Sequence, residues 1–216
     1  MANEILEQLS TAVQRGKRKE VKALVPQAIE NGLSAQQILN DGLMPGMEIM
    51  GKKFSDGEVF IPEMLVCARA MNTGTELLKP LLVSENAEPI GKACIGTIKG
   101  DLHDIGKNLV RIMLESRNIE VIDLGVDVDP QTYITTAVEQ NCDLICVSAL
   151  LTTTMNGMAE VVRLADEAGL RGKVRIMVGG APVSQKYCDS IGADCYTADA
   201  GSAAVRAVEL LQELKS

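Results

Sequence analysis

The apolar residues change their period near position 84, and this limits the chain to two halves built on different principles. From Glu4 to about Val83 they recur at helical spacing. Ile5, Leu6, Leu9 and Val13 form one stripe, and Val21, Leu24, Val25, Ala28 and Ile29 form a second. Ser34 and Gln37 make a Ser-x-x-Gln capping box, which opens a third helix through Ile38, Met44, Met47 and Met50. Pro62 suits the first turn of a fourth helix carrying Leu65, Ala68 and Leu77, because the N–H it lacks would be unpaired there in any case. Residues 1–84 are thus expected to form a four-helix bundle. Residues 85–89, ENAEP, are polar, end in proline and read as a linker.

From residue 90 onward the pattern alternates. The runs ACIGTI, VIDLGV, LICVSAL, VRIMVGG and ADCYTA are separated by helical stretches starting near Ile105, Pro130, Thr154, Ser184 and Ala200. Repeated βα units imply a parallel sheet covered by helices on both faces. The expected class is therefore α plus α/β: a helical bundle at residues 1–84, then a flavodoxin-like (Rossmann-like) five-stranded parallel sheet at residues 90–216. Ligands of such sheets bind at the carboxyl ends of the strands, so the chemistry is sought in the βα loops.

Composition removes several function classes. A net charge of −8 without clusters of Lys or Arg repels phosphate backbones and anionic lipid, so neither nucleic acid nor membrane is expected as a partner. With 2% aromatic residues there are few platforms for stacking bases. Met1 to Ser10 lack a signal-peptide pattern, and no stretch approaches the roughly 20 apolar residues of a membrane span. The expected location is the cytoplasm. Cys67, Cys94, Cys142, Cys146, Cys188 and Cys195 form no CxxC pair and read as reduced core thiols.

The first βα loop reads Gly100-Asp101-Leu102-His103-Asp104-Ile105-Gly106, and His103 is the only histidine. A lone histidine is ordinarily a surface or satisfied core residue. This one lies in a glycine-bounded loop at the ligand-binding edge, with Asp101 placed to bond one ring nitrogen. A carboxylate behind an imidazole fixes its tautomer, raises its basicity and leaves the other nitrogen for a metal. Zinc would need about three or four protein ligands, and no second His or Cys pair accompanies this one. A single protein ligand suffices when a macrocycle supplies the rest, and haem and a corrin both qualify.

Nucleotide motifs are missing: there is no GxGxxG in the loop and no GxxxxGK[ST] elsewhere. A receiver-type phosphoacceptor would place an aspartate where Ser148 stands. Asp123, Asp127 and Asp129 cluster after the second strand, read as solvated loop carboxylates and receive no role.

GDLHDIGKN resembles the Asp-x-His-x-x-Gly signature of cobalamin-binding domains in methionine synthase, corrinoid-dependent mutases and the corrinoid proteins of methyltransferase systems. Ser148-Ala149-Leu150 matches that family's Ser-x-Leu and runs on into Thr152 and Thr154. Gly179-Gly180 matches its Gly-Gly. The resemblance implies cobalamin or a related corrinoid, with His103 replacing the base tail as axial ligand of cobalt. Gly100, Asp101, Leu102, Asp104, Ile105 and Gly106 would frame that ligand. The displaced tail would enter a cavity of the α/β domain. Ser148, Thr152 and Thr154 would offer it hydroxyls beside Leu150, Gly179 and Gly180 would admit a close approach, and Thr197 and Ala198 on the fifth strand would line the far end.

The run GMEIMGKKFSDGEVFIPEML, Gly46 to Leu65, resembles the helical cap beside such domains, which implies that Phe54 and Ile61 lie over the methyl face of the corrin. A cap without a substrate or folate barrel is similar to the free-standing corrinoid subunits that serve methanol, methylamines, quaternary amines or methoxylated aromatics. GGAPVS after the fourth strand resembles the amine branch.

That resemblance implies a methyl carrier working through methylcobalamin and a Co(I)/Co(III) cycle. Its partners would be a substrate methyltransferase that methylates Co(I), a second methyltransferase moving the methyl to a thiol or folate, and a corrinoid reductive activator. His103 would leave the cobalt as the methyl leaves, helped by a proton taken up by the Asp101–His103 pair, and the cap would move about the linker to admit partners. A corrinoid-based sensor and a mutase small subunit are the alternatives. The first would normally carry an output domain, and the helical half counts against the second.

Overall fold

The computed structural model describes residues 2–84 and 89–216. The chain divides into two compact units, Met1–Glu88 and Pro89–Ser216. Residues 85–88 of the expected linker lie outside the described residues.

The first unit is helical: α1 (Ala2–Gln14), α2 (Arg18–Glu30), a single turn α3 (Ala35–Gln37), a π-helical turn over Ile38–Leu43, α4 (Met44–Ser55) and α5 (Ile61–Ser84). Ile5, Leu9 and Val13 of α1 and Val21, Val25 and Ala28 of α2 are buried, so both stripes face the bundle core. The capping box closes in both directions. The Gln37 N–H donates to Ser34 Oγ at 3.1 Å, and the Ser34 N–H donates to Gln37 Oε1 at 3.0 Å.

Two details depart from the expected helices. The π-helical turn inserts extra backbone into the third helix and rotates the α4 residues relative to those before it, so Leu43 is fully buried while Met44 is only half-buried. In α5 the core side is Met64, Cys67, Ala68, Met71 and Leu78, an i, i+3, i+4, i+7 series counted from Met64. Leu65 falls to the flank and Leu77 is exposed.

The second unit runs β1 (Gly91–Ile98), α6 (Ile105–Glu115), β2 (Ile119–Val128), α7 (Pro130–Glu139), β3 (Leu144–Ser148), α8 (Asn156–Glu167), β4 (Arg175–Gly179), α9 (Gln185–Ile191), β5 (Cys195–Tyr196) and α10 (Ala200–Lys215). All strand pairs are parallel, in the order β2-β1-β3-β4-β5. The chain leaves β1 to one side for β2 and then crosses to the other side for β3. That reversal opens a crevice beyond the ends of β1 and β3, the ligand site of such sheets. The loop carrying His103 follows β1, and Ser148 is the last residue of β3.

One face of the sheet buries Cys94, Ile98, Ile145 and Val147 beneath Tyr133 and Ile134 of α7 and Met158, Val161 and Val162 of α8. All six cysteines are buried and free. The fifth strand holds only two residues, so Thr197 and Ala198 lie just beyond it rather than on it. Among the described residues no helix is long and apolar enough to cross a membrane.

Candidate cofactor site

The loop after β1 is organised by one carboxylate. Asp101 is fully buried, and its carboxylate accepts hydrogen bonds at both oxygens. Its Oδ1 accepts the backbone N–H of His103 at 3.1 Å and lies 2.6 Å from His103 Nδ1. Its Oδ2 accepts the N–H groups of Leu150 at 2.6 Å and Leu151 at 3.1 Å, with the Thr154 hydroxyl at 3.4 Å. The loops after β1 and β3 are thereby joined through a single side chain. Burial pushes this carboxyl up, but the donors from Leu150, His103 and Leu151 outweigh it and hold the group at about 2.

An ionised Asp101 places the proton of His103 on Nδ1 and turns the Nε2 lone pair away from the protein. The ring is 52% exposed. Its backbone is held as well, since the buried Thr97 hydroxyl donates to the His103 carbonyl at 2.8 Å. Around the imidazole the rim is apolar: Leu102 is 72% and Ile105 67% exposed, and Leu150 and Leu151 are also open to solvent. A Cβ at Gly106 would meet no atom within 4 Å, so this face is unobstructed.

The remaining expected residues fall along the ends of β3, β4 and β5. Ser148 pairs in register with Thr97 on one side and Gly179 on the other. Gly180, at φ +127°, is confined to glycine: a Cβ there would lie 1.8 Å from the Ala149 carbonyl oxygen. A Cβ at Gly179 would meet only the Thr197 carbonyl oxygen, at 3.9 Å, leaving room above the strand end.

Other residues are placed differently. Thr154, expected beside a buried tail, instead turns its hydroxyl to Asp101 and to the Leu151 carbonyl at 2.9 Å. Asp104, Thr152 and Ala198 are exposed. Asp104 accepts from the Asn108 amide at 3.0 Å. In the first unit Phe54 is half-buried on α4, and Ile61 is exposed at the start of α5 beside the still more exposed Phe60.

The three aspartates expected after the second strand are not the merely solvated carboxylates that the sequence suggests, and two of them, Asp123 and Asp127, lie on β2 itself. Asp123 accepts from Lys107 Nζ at 2.6 Å, and that lysine is almost wholly buried on α6. Asp127 accepts the Gly100 N–H at 2.7 Å, and Asp129 pairs with Lys99 at 2.8 Å. The signal for Asp127 and Asp129 was the alternation in GVDVDP at the end of a strand that lies beside β1 in a flavodoxin-like order.

One outward nitrogen, an apolar rim and a buried second partner suit a metal whose other ligands come from a macrocycle. Among the described residues no group of three or more His, Cys, Asp or Glu is placed to hold a bare ion.

Known proteins agree with that chemistry. The B12 binding domain family matches residues 91–209, and a second family, also described as a B12 binding domain, matches residues 5–79. The chain is 42% identical over 209 residues to the dimethylamine corrinoid protein of Methanosarcina barkeri, covering 96% of this chain and 98% of that one. It is 42% identical over 172 residues to trimethylamine corrinoid protein 2 of Methanosarcina acetivorans, covering 79% of each. The solved methanol:cobalamin methyltransferase complex MtaBC of Methanosarcina barkeri superposes with a TM-score of 0.84 at 28% identity, covering 97% of this chain and 80% of that one. The chain belongs to the B12 binding domain family, among the corrinoid proteins of methyltransferase systems. Its cofactor is cobalamin or a related corrinoid.

Proposed function

We propose that this chain carries methyl groups between two methyltransferases, with His103 Nε2 as the axial ligand of the corrinoid cobalt. The observation that carries the reading is the imidazole fixed at Nδ1 by a buried, ionised Asp101 and open at Nε2. The bound corrinoid supplies a cobalt centre that takes up and gives up a methyl group.

The residues of the chain do the rest. Asp101 keeps the proton on Nδ1 and the lone pair on Nε2. Nε2 is also the atom of the pair that would hold a proton whenever it did not hold the metal, because the carboxylate is already saturated with donors. Leu102, Ile105, Leu150 and Leu151 present an exposed apolar surface that would support the macrocycle. Ser148, Gly179 and Thr197 offer the hydroxyl and the open backbone for the displaced tail, with Gly180 keeping the neighbouring strand ends in register. In the first unit, Phe54 and Ile61 are assigned to the face from which the methyl group is exchanged. Residues 1–84 are the cap, 85–89 the linker and 90–216 the cofactor domain.

The proposed partners are a substrate methyltransferase, a second methyltransferase acting on a thiol or folate, and a corrinoid reductive activator. Similarity to dimethylamine and trimethylamine corrinoid proteins supports a methylamine donor over methanol or a methoxylated aromatic. The test is methyl transfer to the reduced, hydroxocobalamin-reconstituted chain by dimethylamine, trimethylamine and methanol methyltransferases in turn, followed through the corrinoid absorbance. Methylation with an amine donor is expected. A chain that binds corrinoid yet accepts methyl from none of them would refute the carrier function.

A further inference from the structure

We propose that Asp127 is a positioning residue for His103, holding the ligand loop from behind, an inference that rests on His103 being the axial ligand. Strand β2 does not run evenly beside β1. The partners are Ile95 with Asp123, then Gly96 with Gly125, then Ile98 with Val128, so β2 takes extra residues in two places. Such bulges bend a strand and re-aim its side chains. Here the bend brings Asp127 against the loop after β1.

Two hydrogen bonds then bracket one peptide unit. The Gly100 N–H donates to Asp127 Oδ1 at 2.7 Å, and the Asp127 N–H donates to the Asp101 carbonyl at 3.0 Å. To make both, Asp127 adopts φ +56°, a left-handed conformation that aspartate tolerates better than most residues but that still needs outside support. Gly100 stands at φ +85° and has no side chain to hold it in place.

The position of this peptide decides where His103 points. Asp101 reaches the ring across only two residues, so a shift of the Gly100–Asp101 backbone moves carboxylate and imidazole together. The contacts from Leu150 and Leu151 fix one end of the carboxylate, and Asp127 fixes the backbone that bears it. Asp129 does not share the task. It meets Lys99 between two exposed side chains, where an ion pair contributes little.

Because the chain has a single histidine, labelling histidine with nitrogen-15 marks one ligand. The full, untagged chain is reconstituted with hydroxocobalamin, reduced to Co(II) and read by electron paramagnetic resonance. Ligation by His103 splits the cobalt lines into doublets. Ligation by the cofactor's own base gives triplets.

In wild type the doublet is expected, and its absence would overturn the axial assignment itself. Asp127→Gly keeps the backbone N–H and the left-handed conformation but deletes the carboxylate. It should shift the ligand equilibrium about 10-fold toward the unligated form, the lower end of what losing a supporting partner costs. Asp127→Asn retains an acceptor for Gly100 and should restore the doublet.

A full doublet in Asp127→Gly would overturn the positioning role. So would an Asn variant that folds like wild type yet loses the doublet. Should the glycine variant fail to fold, Asp127→Ser, whose oxygen is too short to reach Gly100, gives the same reading with the same outcomes.

Discussion

Replacing Asp101 with asparagine removes one acceptor oxygen without changing the size of the side chain, and no orientation of the amide satisfies the site. If the NH2 group faces the loop after β3, it meets the N–H groups of Leu150 and Leu151 and leaves both unpaired. If it faces His103, the backbone N–H of that residue is orphaned and Nδ1 must become an acceptor, which moves the ring proton to Nε2 and buries the ligand lone pair in an N–H bond. An unsatisfied buried donor costs about 1–3 kcal/mol, so the second orientation, with one orphan, is the cheaper.

The apo protein should therefore lose about 2 kcal/mol, which for a domain of this size lowers Tm by about 8 °C. Its sign against pH follows from a carboxyl held at about 2 against an unfolded value of about 3.9. The ionised group stabilises the fold above the unfolded value, and that contribution is lost as pH falls toward the folded one. The gap between wild type and Asp101→Asn should be complete at pH 7 and narrow between about pH 5 and pH 3. Urea unfolding of both apo proteins across that range measures it. Equal midpoints at pH 7, or a gap that does not narrow in acid, would refute the hydrogen-bond accounting.

A metal analysis and two pairs of substitutions separate ligand binding from folding. Purified from a corrinoid-supplied host, the chain should carry about one cobalt, measured by metal analysis, as one imidazole per chain requires. Gly180→Ala should cost about 3 kcal/mol or more in apo stability because its Cβ would meet the Ala149 oxygen at 1.8 Å, whereas Gly179→Leu should leave the apo midpoint nearly unchanged and reduce corrinoid retention in gel filtration. Ser148→Leu should weaken corrinoid retention more than Cys146→Ser, which buries a hydroxyl in the strand interior and should lower the melting temperature instead.

The periods of the apolar residues were enough to place ten named helices and strands of the second unit because each βα unit buries a continuous strand under an amphipathic helix. Periodicity does not register backbone insertions. The π-helical turn at Ile38–Leu43 exchanged Met44 for Leu43 in the core, and the brevity of β5 left Thr197 and Ala198 beyond the strand. Neither event changes the spacing of apolar residues enough to be seen.

The site shows the same division. Asp101 and His103 were legible because their contact spans two residues and is written in the motif. The partners that set their geometry come from other loops. Leu150 and Leu151 contribute backbone N–H groups, which carry no side-chain signature at all. Thr154 contributes a hydroxyl that the family resemblance assigned to a tail cavity, and Asp127 contributes a carboxylate whose role depends on two bulges in β2. A motif therefore identifies the proposed ligand and the carboxylate that sets its tautomer, while the groups that hold both in place emerge only once the strand order is known. This explains why the buried carboxylate of Asp101, rather than the histidine it supports, is the group whose replacement should disturb folding and ligation together: His103 can be removed without orphaning a buried donor, and Asp101 cannot.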